Sequence, residues 1–152
     1  MPSRRPLVGF VLLPLLAVLV SACGTPETVT DVIGPSLADG YVPVTETFNG
    51  TLVFRGSNLH TFHTMPGLVK VTLVSVDPAD APIIAMAIGM WDGISCQTVL
   101  ESYGAVAATE LVGTASMDSR VCIKVWDPLT LAEGAQISYQ LSAVHNEEPP
   151  KS

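Results

Sequence analysis

The residue with the clearest chemical role is Cys23, which follows an apolar run near the amino terminus. Residues 1–6 include Arg4 and Arg5 and no acidic side chain, and residues 7–20 are then almost entirely apolar. A basic segment, an apolar segment and small residues in this order form a secretory signal. The apolar run is shorter than the roughly 20 residues that a helix needs to span a bilayer. The sequence therefore predicts export, with a thiol where the signal ends.

The tetrapeptide Val20-Ser21-Ala22-Cys23 resembles the lipobox of bacterial lipoproteins: an aliphatic residue, two small residues and a cysteine. The resemblance implies transfer of diacylglycerol to the Cys23 thiol and cleavage between Ala22 and Cys23. Two or three acyl chains would anchor the protein lastingly. Gly24 stands where an inner-membrane retention signal has Asp, which favours the outer membrane in a diderm cell. The alternatives are an ordinary secretory signal with Cys23 as a free or bridged thiol, and an uncleaved anchor.

Two further cysteines, Cys96 and Cys122, remain as a pair if Cys23 is lipidated. An exported protein enters an oxidising compartment, so a disulfide between them is the natural expectation. The alternatives are two buried thiols or a metal-binding pair. A metal is disfavoured because the two cysteines are far apart and no histidine lies near either of them in sequence.

The composition describes an acidic, apolar domain. The 152 residues have a formal charge of −7, with 14% charged and 48% hydrophobic residues. Loss of the signal, which contains two arginines, would leave about −9. Scattered single Lys and Arg residues argue against nucleic-acid binding and against electrostatic docking on anionic lipid. The chain is also too apolar for disorder.

The chain divides into four parts: a signal peptide at 1–22, a lipidated flexible tether at 23–44, a β domain at 45–146 and a disordered tail at 147–152. The tether is rich in Thr, Pro and Gly and has no sustained hydrophobic period. After it, short segments with apolar residues at every second position alternate with turn residues. These segments predict strands at 48–55, 59–64, 68–76, 83–91, 96–101, 107–114, 119–127 and 136–145.

Strands of this number and spacing predict an all-β fold, a jelly-roll-like antiparallel sandwich of seven or eight strands. The strand at 119–127 should point Val121 inward and Cys122 outward. The strand at 83–91 has only small residues on one face, Ala85, Ala87 and Gly89, so another layer or chain segment should lie against that face.

Five segments together resemble the bacterial pre-peptidase C-terminal domain: Phe48-Asn49-Gly50-Thr51-Leu52, Ser57 to Phe62, Val69 to Leu73, Val121 to Val125 and Ile137 to Leu141. The resemblance implies a jelly-roll-like β-sandwich of the kind found beside secreted proteases and in stand-alone exported proteins. His60 departs from the aromatic residue usual in that family, and Asp118-Ser119-Arg120-Val121 departs from its Gly-x-Tyr. No peptidase domain accompanies the segment here.

Motifs for catalysis are absent from the sequence: there is no Gly-x-Ser-x-Gly elbow, His-Glu-x-x-His, phosphate loop or EF-hand loop. His60 and His63 are three apart in a predicted strand and should face opposite sides, which makes shared metal ligation awkward. Asp77 and Asp80 are a weak Ca²⁺ candidate, suggested by loop carboxylates in some members of the resembled family. Two carboxylates are too few for a Ca²⁺ shell without further oxygen ligands. No cofactor is expected.

Trp91 and Trp126 are the candidate binding residues, since both are predicted to lie near the disulfide. They would either shield it or form a stacking platform for a sugar or a peptide. The favoured hypothesis is a lipid-anchored module of the bacterial cell envelope that binds or scaffolds an envelope protein or carbohydrate and has no catalytic activity. The alternatives are a small exported hydrolase, which would need clustered titratable groups, and a purely structural envelope component.

Overall fold

The fold is formed entirely by antiparallel strands. The computed structural model describes residues 40–151, so Cys23, the predicted signal and most of the tether lie outside the described residues. Within residues 40–151 there are seven strands and no helix, which confirms the all-β prediction. The strands are β1 (Val42–Val53), β2 (Ser57–Asp77), β3 (Ile84–Trp91), β4 (Cys96–Ala105), β5 (Glu110–Ala115), β6 (Ser119–Trp126) and β7 (Gln136–Glu147).

The long strand β2 belongs to both layers of a sandwich. Its first part, 57–64, pairs with β6, and its second part pairs with β7 on one edge and β5 on the other. One layer therefore has the order β1-β7-β2-β5 and the other β2-β6-β3-β4. When the two parts of β2 are counted separately, these are the eight strands and the order of a jelly roll. The jelly-roll prediction is confirmed, with the two layers joined through β2.

β2 changes layers at Pro66 and Gly67, where the sequence analysis expected a turn between two strands. Pro66 has no N–H to give to a ladder, and Gly67 has a positive φ of 139°. The Asn146 side chain donates a hydrogen bond of 2.8 Å to the Pro66 carbonyl oxygen. A Cβ at Gly67 would collide with this Asn146 amide. The strand therefore bends sharply here and continues.

The hydrophobic core lies between the two layers, as the alternation of apolar residues predicts. Val121, Ile123 and Val125 point inward from β6 and are buried. The largest buried apolar side chains of the other strands include Leu52, Phe62, Leu73, Ile84, Met86, Ile137 and Leu141.

The sheet extends slightly beyond the predicted domain. β1 begins at Val42 and pairs with β7 up to Glu147, so three residues assigned to the tether and one assigned to the tail belong to the ladder.

One end of the sandwich contains the start of β1, the end of β7 and the turns at 92–95 and 116–118. Strand pairing places these segments together, since Val42, Met65, Thr64 and Met90 each pair with a residue in or next to one of them. We call this the entry end.

At Gly89 the small-residue face of β3 meets the beginning of β4, a close chain segment of the kind that the sequence analysis expected. A Cβ at Gly89 would collide with the carbonyl oxygen of Gln97, so the beginning of β4 lies over β3. Ala85 and Ala87 are fully buried beside their cross-strand neighbours on β6. Only a residue without a side chain allows this approach at Gly89.

Candidate functional site

The structure joins Cys96 to Cys122 in a disulfide, with the two Cα atoms 5.8 Å apart. β3 lies between the strands that carry the two cysteines. The close approach of β4 over Gly89 brings Cys96 within reach of Cys122. The sequence analysis expected Cys122 to point outward from the sandwich, and the side chain is nevertheless completely buried. The bond and the overlying β4 backbone cover it.

Trp91 and Trp126 lie far apart, so they do not form one stacking platform. Trp126 is opposite Ala85, whereas Trp91 is six residues further along β3 and opposite Cys96. At about 3.3 Å per residue this separates them by roughly 20 Å. Trp91 therefore lies beside the disulfide, and Trp126 lies at the other end of the strand.

Trp126 has a different aromatic partner, Tyr103 of β4, which the sequence analysis did not single out. The two rings meet edge-on at 5.5 Å and 88°, and the Lys124 ammonium lies 5.4 Å from the indole. Tyr103 is 59% exposed. We call these three residues the aromatic patch.

The remaining sequence candidates are not brought together as ligands. Asp77 and Asp80 are exposed, and no third acidic or histidine side chain in residues 40–151 gathers with them. His63 faces solvent, and its Nε2 atom contacts the Asp118 carboxylate. His60 faces the interior, as the opposite-face prediction requires.

His60 and Tyr139 form a partly buried polar pair. The His60 Nε2 atom lies 2.8 Å from the Tyr139 hydroxyl oxygen, and Phe48 packs against the imidazole at 5.2 Å. Burial lowers the pKa of His60 and raises the pKa of Tyr139. Both groups are therefore neutral near pH 7, which suits a structural hydrogen bond at a partly buried position.

An apolar cleft opens at the side of the sandwich where β4 and β5 face each other. Both strands are edges among the described strands, since β4 ends the strand order and β5 pairs with β2 alone. The cleft encloses about 70 Å³, which is room for one apolar side chain and several times the space of a water. We call it the β4–β5 cleft, and it is lined by Val69, Ile88, Gly89, Met90, Val99, Leu100, Gly113, Thr114, Ala115 and Val121.

Val99 lies at the cleft because β4 is bulged there. Gly89 pairs with Thr98 and Ile88 with Leu100, so Val99 is an extra residue with no partner on β3. A bulge turns a side chain away from its regular direction and interrupts a strand edge. Val99 is 69% exposed. A second irregularity between Ser102 and Ala105 shortens the regular edge of β4 further, so the cleft accommodates a side chain more readily than an added strand.

The turns beside the β4–β5 cleft at the entry end expose further apolar side chains, Ile94 and Met117. Ile94 is 89% exposed. Asp92, in the same turn as Ile94, accepts hydrogen bonds from the backbone N–H groups of Ser95 and Ile94 and from the side chains of Ser95 and Gln97. These bonds, the two backbone ones first, hold the pKa of Asp92 well below its usual value. The turn therefore keeps a fixed negative charge beside an exposed apolar side chain.

A cluster of Glu46, His145 and Glu147 lies at the entry end. One potential ligand atom from each residue lies within 4.8 Å of the other two. His145 is completely buried, its Nε2 atom lies 3.1 Å from the Glu46 Oε1 atom, and its ring packs 4.6 Å from Phe62. Sequence reasoning missed the cluster because it assigned Glu147 to a disordered tail and singled out neither Glu46 nor His145. The available signal was His-x-Glu in a strand, which places both side chains on one face.

Comparisons with known proteins provide little beyond this geometry. No protein-family model and no curated protein sequence matches the chain. A similar solved structure is a periplasmic lysozyme inhibitor of g-type lysozyme from Aeromonas hydrophila, with 11% identity and a TM-score of 0.47. The match covers 68% of this chain and 86% of that chain. The jelly-roll description rests on the strand order given above and not on this likeness.

No helix within residues 40–151 is long and apolar enough to cross a membrane.

Proposed function

We propose that this chain is a lipid-anchored module of the bacterial cell envelope that binds a basic protein through the β4–β5 cleft and has no catalytic activity. The lipobox-like segment at Val20 to Cys23 supports the anchor. The Cys96–Cys122 disulfide supports export, because such bonds persist in oxidising compartments. The resemblance to the pre-peptidase C-terminal domain agrees with the jelly-roll strand order, and membership of that family remains part of the proposal.

The cleft is the observation that carries the binding role. Protein interfaces concentrate their energy in a few anchor side chains that fill apolar pockets. The β4–β5 cleft has the size for one such anchor, and Val99 and Met90 at its mouth are exposed. Ile94 and Met117 at the entry end extend this apolar surface.

The charge of the chain indicates the kind of partner. The formal charge is −7, and the two turns at the entry end carry Asp92 and Asp118. Complementary charge raises association rates and excludes partners of like charge. A basic protein that presents one exposed apolar side chain fits both the cleft and its surroundings, whereas a second copy of this acidic chain would be repelled.

A photo-cross-linking experiment tests the role of the cleft. A benzophenone amino acid replaces Val99 in full-length protein produced in its native host, and the matched control replaces Val106, an exposed valine outside the cleft lining. We expect one discrete protein adduct from position 99 and none from position 106. Added salt should reduce the yield, because the attraction is electrostatic.

A cleft-filling variant separates specific binding from chance contact. A Cβ at Gly113 would lie 3.5 Å from Leu100 and 3.6 Å from Ile88, which is ordinary contact. Gly113→Leu should therefore fill the cleft and abolish the adduct from position 99. Equal adducts from positions 99 and 106, or an adduct that Gly113→Leu leaves unchanged, would contradict the proposed site.

Carbohydrate binding at the aromatic patch is the second candidate function. Its support is the exposed ring of Tyr103 beside Trp126, since flat aromatic faces stack on sugars. Tyr103→Ala should then weaken retention on envelope polysaccharide and leave the position-99 adduct intact. Unchanged retention on polysaccharide in Tyr103→Ala would exclude the aromatic patch and favour the β4–β5 cleft.

A further inference from the structure

We propose that Glu46, His145 and Glu147 form a binding site for one divalent transition-metal ion, with Zn²⁺ as the best match to the ligands. The inference does not depend on the proposed function. It rests on how the strands place the three side chains, on the burial of His145 and on the chemistry of the donor atoms.

The register of β1 and β7 brings the three residues to one face. His145 and Glu147 are two apart in β7, so both side chains point to the same side. Val44 of β1 is opposite His145, and Glu46 is two residues further on the same side of β1. Two side chains from one strand and a diagonal neighbour from the next therefore converge at the entry end.

His145 gives the strongest indication that this cluster binds a ligand. It is fully buried at a position where the alternation of β7 elsewhere places Ile137, Tyr139, Leu141 and Ala143. Its Nε2 atom faces the Glu46 carboxylate at 3.1 Å, and its Nδ1 atom has no hydrogen-bonding partner in the described part of the chain. A buried imidazole with one unpaired nitrogen costs free energy that an apolar residue would not. An ion held between the Nε2 atom and the Glu46 carboxylate would offset the cost of burying the imidazole, which accounts for a histidine at this place.

The donor set suits Zn²⁺. Imidazole nitrogen and carboxylate oxygen bind this ion at about 2.0–2.2 Å, and tetrahedral geometry then separates two ligand atoms by about 3.3 Å. The Nε2 and Oε1 atoms are already 3.1 Å apart, so the ion requires only a small adjustment there. Three protein ligands leave a fourth position for water or for a group from a partner.

Metal binding would use the His145 nitrogen that now faces Glu46. An imidazole nitrogen binds Zn²⁺ only without a proton, so the Nε2 atom would exchange its contact with Glu46 Oε1 for a bond to the ion. The neutral imidazole would then carry its proton on Nδ1, which has no acceptor among the described residues. Sites that lack such an outer partner bind about 10- to 100-fold more weakly. We therefore expect reversible binding that chelators remove easily.

The test is a Zn²⁺ titration of untagged full-length protein in detergent, with free thiols blocked so that Cys23 cannot bind the ion. We expect one Zn²⁺ per chain, and an affinity reduced about 10-fold or more by Glu147→Gln or Glu46→Gln. The neighbouring exposed residue provides the matched control, since Glu148→Gln should leave the affinity unchanged. His63→Gln should also have no effect, which separates this site from the His63–Asp118 pair.

Co²⁺ provides a second readout that is independent of affinity. Substitution of Co²⁺ should give the visible absorption of a four-coordinate ion in the wild type and in Glu148→Gln, and Glu147→Gln should lose it. Absence of stoichiometric Zn²⁺ binding, or binding that survives both Glu46→Gln and Glu147→Gln, would overturn the proposal.

Discussion

Replacement of both disulfide cysteines, Cys96→Ala with Cys122→Ala, is expected to lower the free energy of unfolding by about 3.5 kcal/mol. The bond closes a loop of 26 residues, and the chain-entropy relation gives this value for that loop length. Urea denaturation of the variant and the wild type measures the difference. Domains ordinarily have a free energy of unfolding of about 5–15 kcal/mol, so this loss would remove a large part of the stability of the domain.

Reduction of the wild-type protein provides the matched control, because it opens the same loop without changing the sequence. The reduced protein and the double variant should therefore unfold at similar urea concentrations. A loss below about 1 kcal/mol in both would show that the bond does not constrain the unfolded chain as the loop length predicts.

Asp127→Ala is the second change with a large expected effect, a loss of about 3 kcal/mol in the free energy of unfolding. Asp127 is only 5% exposed. Its carboxylate accepts hydrogen bonds from the backbone N–H groups of Arg55, Thr130 and Leu131 and from the Thr130 hydroxyl. The variant would leave these donors, most of them partly buried, without their carboxylate partner, and it would release the turn before β2 from the loop after β6.

Asp92→Ala is the matched control, since Asp92 also accepts four hydrogen bonds but lies in an exposed turn. Water can replace those bonds, so we expect a much smaller loss than that of Asp127→Ala. Equal effects of Asp92→Ala and Asp127→Ala in urea denaturation would contradict the role given to burial.

Acid should destabilise the domain through Asp127. Burial alone would raise the pKa of Asp127, but the hydrogen bonds from Arg55, Leu131 and Thr130 outweigh it and hold the pKa below the ordinary 3.8. A folded-state pKa below the unfolded value stabilises the protein above 3.8, and this stabilisation is lost as the pH falls through the folded-state value. The Asp127→Ala variant should therefore show a weaker dependence on pH below about 4 than the wild type.

The sequence predicted the class of fold because its strands alternate clearly. The alternation of Val121, Ile123 and Val125 identified both the strand and its buried face, and the count of strands led to a sandwich. It could not show that 59–64 and 68–76 are one strand, because Pro66 and Gly67 normally indicate a turn. Here the Asn146 side chain, 80 residues away, occupies the bend, and no local pattern reveals such a contact.

The candidate sites were harder to predict because they depend on register. The disulfide followed from the number of cysteines, but the separation of Trp91 from Trp126 follows from the pairing of β3 with β6. The β4–β5 cleft depends on a bulge at Val99, and the cluster at the entry end depends on the alignment of Glu46 with β7. Pairing between distant strands is set by the whole core and is not encoded in any one segment.

Export and lipid anchoring are central to the account, because the compartment explains the disulfide and determines which partners the cleft can meet. The residues that carry this claim, Val20 to Cys23, lie outside the described part of the structure. The claim is therefore best tested by a direct chemical measurement on the mature protein.

The most direct measurement is the intact mass of the protein extracted from its native membrane, with and without reductant. We predict a mass that lacks residues 1–22, includes added diacylglycerol on Cys23, and increases by two hydrogen atoms on reduction of Cys96–Cys122. A mature chain without lipid would contradict the account. Cys23 would then be a third thiol, and the protein would be a secreted module without an anchor.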